Sequence, residues 1–208
     1  VLPSHVQLTL DADPALDTFS GQVRIQLRAL QAVPAIVLHA QALQADAAEI
    51  VRAGGRPRTL SVLPDAKTQT WRLVPTDGRP IGAGAWTLHM RYRGQVQTTG
   101  EGLYRAEYKI NGVPTRMLAT QLQAVHARRL LPHFDEPVFR SVFELEVRAP
   151  QGLQVVSNMP LKQAQPDGSF TLDSAKFDAT FQADPAAARA TLAKLGRTVD
   201  AVATQELA

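Results

Sequence analysis

Residues 119–139, ATQLQAVHARRLLPHFDEPVF, gather Gln121, Gln123, His126, His133, the pair Arg128-Arg129 and the run Asp135-Glu136-Pro137 into one short stretch. Each type suggests a chemistry. The carbonyl oxygen of a glutamine can accept a hydrogen bond from an ammonium group, although it lacks the charge of a glutamate. Two imidazoles suggest a metal, yet His126 and His133 are seven apart and two ligands rarely complete a site, so metal binding is not expected of them. Asp135 and Glu136 are neighbours in a turn-forming sequence closed by Pro137, where adjacent side chains point apart. They do not read as a catalytic carboxylate pair. The expectation is a structural Arg–carboxylate pair holding this loop. On residue type alone Gln123 reads as a polar residue at a strand end, and Gln121 as its neighbour on the opposite face if the segment is extended.

The rest of the chain supplies no obvious second half for such a site. The five histidines are His5, His39, His89, His126 and His133; none is followed by Glu and no two are four apart. A zinc-peptidase helix needs that His-Glu-x-x-His spacing, with two imidazoles on one helix face and the Glu between them as general base. No cysteine is present, which excludes a disulfide scaffold and a thiolate-bound zinc. Tyr104 and Arg105 sit at a strand start, where Tyr104 reads as an edge-of-core residue, and Trp71 and Trp86 read as core or sheet-face aromatics rather than a carbohydrate-stacking platform.

The elements that must position these residues read as strands. Val6, Leu8 and Leu10 alternate with polar neighbours, as do Val23, Ile25 and Leu27, and Trp86, Leu88, Met90 and Tyr92. That is the period-two pattern of half-buried antiparallel strands. Residues 35–40 read as a short buried strand, and 141–150 as another that places either Val142 or Phe143 in line with Leu145 and Val147. Turn signals separate the runs at Asp11–Pro14, Gly54–Pro57, Asp77–Pro80 and Gly82–Gly84. Many short strands at even spacing predict an all-β fold, a sandwich or saddle of antiparallel sheets. From about residue 176 the chain turns Ala-rich: Asp184 as N-cap, Pro185 at the first helical position and Gly196 at the end predict a short helical tail. The division expected is therefore a β domain over 1–175 and a helical tail over 176–208. A net charge of +3 with scattered Lys and Arg gives no electrostatic footprint for nucleic acid. No apolar run is long enough for a membrane span and no leader is visible. Cytoplasm, periplasm and secretion after leader removal all stay open.

Four stretches together resemble the aminopeptidase N and leukotriene-A hydrolase family of zinc aminopeptidases. FSGQVRIQL (19–27) is similar to the family's F-x-G-x-V-x-I strand, and GLYRAEY (102–108) to its G-L-Y-R turn and strand. Residues 118–147 resemble the signature T-Q-[FL]-[EQ]-x-x-x-A-R-x-x-x-P-x-x-D-E-P-x-[FY]-[KR]-[AS]-x-F, and VSNMP (156–160) the turn that follows it. Order and spacing agree over about residues 4–170.

The resemblance implies an all-β N-terminal domain that caps a separate thermolysin-like domain, in an enzyme that removes N-terminal residues from peptides. It implies that Gln123, two after the Gln of the T-Q motif, anchors the α-amine of the peptide substrate, with Gln121 beside it in a mainly structural role. The zinc belongs to the family's catalytic domain; neither its His-Glu-x-x-His helix nor its G-x-M-E-N strand occurs in these 208 residues. By itself this chain is expected to hold no cofactor and to be inactive as a peptidase. An apolar face left uncovered by the missing domain is expected to favour self-association. A second reading is a free-standing β domain used for protein binding or scaffolding. Whether the chain is a fragment, the product of a gene deletion or a short homologue stays open, as does the origin of the tail.

Overall fold

The computed structural model describes residues 1–157, 161–164 and 170–173. The expected helix after residue 176 lies outside the described residues, as does most of the VSNMP turn. The regular structure of the described chain is nearly all β, 57 % strand against 3 % helix, as the alternation predicts. Ten strands form one sheet in the order β11-β12-β10-β1-β2-β7-β4-β5-β6-β3, and β8 and β9 form a separate hairpin. The strands that position the site are β1 (Leu2–Asp11), β2 (Thr18–Ala29), β3 (Ile36–His39), β4 (Leu43–Val51), β5 (Arg58–Asp65), β6 (Thr70–Pro75), β7 (Gly84–Gln95), β8 (Gly102–Ile110), β9 (Val113–Gln121) and β10 (Val142–Arg148). The two remaining strands are β11 (Leu161–Ala164) and β12 (Phe170–Asp173).

Alternation becomes burial because facing strands pair in register. Leu145 of β10, Leu8 of β1, Val23 of β2, Met90 of β7 and Ala48 of β4 stand side by side in one row, and Phe143, Val6, Ile25, Leu88 and Ile50 in the next. Register puts Phe143 rather than Val142 on the core side of β10, although Phe143 stays 38 % exposed. A row of this kind removes a continuous apolar band from water, at roughly 1.5–3 kcal/mol for each large side chain fully buried. Pairing within the sheet is antiparallel except between β1 and β10, which run parallel.

β5 pairs with β4 only at Glu49–Thr59 and Ile50–Arg58, then leaves it to pair with β6. The β5-β6-β3 arm brings Leu60, Trp71, Leu73, Ile36 and Leu38 into the same core as the rows above. The two layers are thus two arms of a single sheet curled into a half-barrel. Trp71 and Trp86 are both buried, at 3 % and 7 % exposure, which removes them as an exposed stacking platform.

Candidate substrate-facing loop

The opening stretch begins on a strand and ends as a fastened loop. Its strand, β9, is one arm of a hairpin whose tip is Asn111-Gly112, with φ of 51° and 80°. Positive φ at both central residues defines a two-residue turn whose twist matches the strands, and Asn-Gly adopts it at low cost. The hairpin's last pair is Gly102 with Gln121. Beyond it Leu122 packs against the core, and its carbonyl accepts hydrogen bonds from the His126 and Ala127 amides at 3.0 and 3.2 Å. Gln121 and Gln123 therefore flank an inward-facing leucine, and both are exposed. The peptide bond between Gln123 and Ala124 is cis.

A single 3-10 turn, His126–Arg129, follows. Arg128 donates to Asp135 Oδ2 through Nε at 2.9 Å and Nη2 at 2.6 Å, and through Nη1 to Gln69 Oε1 at 2.8 Å. This is the Arg–carboxylate pair expected in the loop, with 13 % and 15 % side-chain exposure. Backbone bonds add three stitches to the β3–β4 connection: His39 N to His133 O at 2.8 Å, His133 N to His39 O at 3.1 Å, and Gln41 N to Arg128 O at 2.8 Å. Tyr92, on β7, donates its hydroxyl to Leu130 O at 2.8 Å. Glu136 is exposed and stands outside this network.

His133 is buried, with Nδ1 3.1 Å from Leu131 O and Nε2 3.2 Å from Asp135 Oδ1. Both ring nitrogens thus face acceptors, and a neutral ring can donate to only one of them. Two acceptors favour the imidazolium, while burial disfavours it; burial is the larger influence and lowers the His133 pKa. His126 lies apart from it, 3.6 Å from Glu101 Oε2, and Arg129 approaches the same carboxylate at 3.4 Å. Among the described residues no three His, Asp or Glu side chains gather into a metal-binding group.

Several positioning residues were not visible in the sequence reading. Leu122 seats the turn. Glu101 sits between His126 and Arg129 from the strand side. Gly102, at φ +67°, leaves room for Arg129, whose Cβ would stand 2.8 Å from a Cβ placed there. Gln69, itself at φ 55°, receives Arg128 from the β5–β6 turn. The only signal available was that Glu101 stands just before the G-L-Y-R motif and Gly102 is its first residue. Of that motif, Arg105 fastens β8 to the β1–β2 turn by donating to Leu16 O at 2.8 Å and pairing with Asp17, while Tyr104 is half-buried.

The described residues thus form an all-β half-barrel with a braced polar loop at the end of a hairpin. The chain matches the family model of the Peptidase M1 N-terminal domain over residues 2–184, and it belongs to that family. It is similar to Aminopeptidase M1-D of Oryza sativa subsp. japonica, 32 % identical over 159 residues, covering 76 % of this chain and 18 % of the relative. Endoplasmic reticulum aminopeptidase 1 of Homo sapiens is 30 % identical over 165 residues, covering 77 % of this chain and 17 % of its own length. Aminopeptidase N of Acetobacter pasteurianus is 40 % identical over 90 residues, 43 % of this chain and 25 % of the relative. The chain thus spans a quarter or less of the length of these curated relatives.

Proposed function

We propose that this chain is the N-terminal cap of a zinc metallo-aminopeptidase that removes N-terminal residues from peptides, and that Gln123 accepts a hydrogen bond from the substrate's α-ammonium. The observation that carries the reading is the state of Gln123. Its side chain is exposed just past the last pair of β9 and makes no hydrogen bond to the described residues, on a turn that is fastened on both sides. An amide held in this way is free to meet a ligand, and the turn behind it limits the ordering that binding would cost. Gln121, in the last pair of the hairpin, takes the neighbouring and mainly structural place. The names of the similar proteins support the peptidase assignment. The zinc and the water it activates belong to the catalytic domain.

The test uses the polypeptide that joins this domain to its catalytic domain. Gln123→Ala is expected to lower kcat/KM on free-amine peptides by about 1.5–3 kcal/mol, or about one to two powers of ten. Gln123→Glu is expected to retain or improve activity, because a carboxylate holds an ammonium more strongly. Residual hydrolysis of an N-acetylated substrate, which offers no ammonium, is expected to ignore both changes. Unchanged kcat/KM in Gln123→Ala on free-amine peptides overturns the reading.

A further inference from the structure

Arg128 and Asp135 lie outside the exposed end of the hairpin, yet the side-chain bonds from the turn carrying Gln123 to β3 and the β5–β6 turn meet at them. Asp135 Oδ2 takes two hydrogen bonds from Arg128, its Oδ1 faces His133, and its backbone N–H points at His39 Nδ1 at 3.4 Å. Arg128 in turn reaches Gln69, whose carbonyl accepts from Ala40 N at 2.9 Å. Through their side chains and backbone these two residues tie the site loop to β3, to the β3–β4 connection and to the β5–β6 turn. Arg128 is also part of the 3-10 turn whose first amides, His126 and Ala127, close on Leu122 O. Gln123 lies inside that closed turn. We propose that Arg128 and Asp135 are positioning residues for Gln123, setting where its amide stands for a primary-amine ligand without touching that ligand.

The chemistry favours this pair over a diffuse structural role. Two guanidinium N–H groups, Nε and Nη2, converge on one carboxylate oxygen, and two charge-assisted bonds from a planar group fix direction as well as distance. A misplacement of about 1 Å at a binding group can cost on the order of 100-fold in rate. The inference rests on the reading of Gln123 as the amine anchor, and its test separates the two. In the polypeptide that joins this domain to its catalytic domain, Asp135→Asn keeps the shape of the side chain and removes its charge. It is expected to lower kcat/KM on free-amine peptides by roughly 10- to 100-fold, mostly through KM. Hydrolysis of the N-acetylated substrate is expected to stay unchanged.

The deciding measurement is Asp135→Asn in a Gln123→Ala background. A residue that acts through Gln123 loses its effect once Gln123 is gone, so the double variant is expected to match Gln123→Ala alone. Asp135→Glu is expected to restore part of the free-amine activity. In the 208-residue chain itself, Asp135→Asn is expected to speed hydrogen exchange at the His126 and Ala127 amides and leave the β2 and β7 amides protected. A full Asp135→Asn cost that persists without Gln123, or exchange that rises equally across β2, β7 and the loop, overturns the proposal. A silent Gln123→Ala overturns the amine-anchor reading instead, and with it this one.

Discussion

The ring of Tyr92 occupies the space over Gly21: a Cβ on Gly21 would stand 2.3 Å from Tyr92 Cζ and 2.4 Å from its oxygen. Phe19 covers Gly94 in the same way, also at 2.3 Å, and the two rings meet edge to face with centroids 6.4 Å apart. Gly21 faces Tyr92 and Phe19 faces Gly94 across β2 and β7. The F-x-G of one strand therefore answers the Y-x-G of the other. Through the Tyr92 hydroxyl on Leu130, this aromatic pair supports the loop that carries the candidate site.

Gly21→Ala is expected to destabilise the domain. Stiffening the unfolded chain would contribute about 0.4–1 kcal/mol in favour of the variant. Overpacking a buried aromatic typically costs about 1–3 kcal/mol, and here the clash falls on a ring held by a hydrogen bond, so the cost wins. Denaturant midpoints measure the sum. Replacing Tyr92 by Leu as well vacates the space over Gly21, so the two changes together should cost less than their separate effects added. Strict additivity would contradict the packing argument.

Tyr92→Phe keeps the ring and removes only the donor, leaving the buried Leu130 carbonyl without its partner. The expected loss is about 1–3 kcal/mol. Amide exchange at Leu130 and Leu131, both bonded to Ala127 O, should rise more than exchange along β2. A variant as stable as the parent would mean that this carbonyl finds another donor.

Burial pushes the Tyr92 phenol well above its ordinary value of 10.0. The unfolded chain gives up this proton first, so folding stability contributed by Tyr92 is intact below about pH 10 and falls as pH rises beyond it. Tyrosine absorbance at 295 nm should show one phenol that ionises only together with alkaline unfolding, and Tyr92→Phe should remove that component.

The parts of this fold that are legible in sequence are those with strong contrast between neighbours. Val23, Ile25 and Leu27 against Gln22, Arg24 and Gln26 leave one choice of inward face. β4 is different: its inward positions include Ala45 and Ala48, and a register shift between Ala45 and Ala47 breaks the period in the middle of the strand. Weak contrast and a bulge together hide it. The β8–β9 hairpin carries a local signal in Asn111-Gly112, a two-residue turn between the two motifs. Leu122, Glu101 and Gln69 were not legible because their roles depend on contacts far along the chain. The His39–His133 bridge and the Arg128–Gln69 bond join segments that no local pattern relates. The loop's motif singles out the candidate stretch; only the curled sheet shows what braces it.

Acid should loosen the brace through His133. Burial lowers its pKa below the ordinary 6.5, and burial followed by the nearby Arg24 lowers that of His89 as well. In the unfolded chain both imidazoles take up protons as pH falls through about 6.5, while in the folded chain they resist. The unfolded state then binds more protons, so stability is greatest above that pH and declines toward the lowered folded values. Aspartate and glutamate titrate mainly below this window, near 4, which separates their contribution from that of the histidines. Denaturation midpoints measured from pH 8 down to about pH 5 should therefore slope downward. His133→Gln, which keeps a donor and an acceptor but cannot titrate, should flatten part of that slope, and His89→Gln another part. Proton NMR of the His133 ring should show it still neutral at a pH where the unfolded chain's histidines are half charged. A slope untouched by His133→Gln, or a His133 ring that titrates at or above 6.5, would mean that its two acceptors outweigh burial and that the brace strengthens in acid instead.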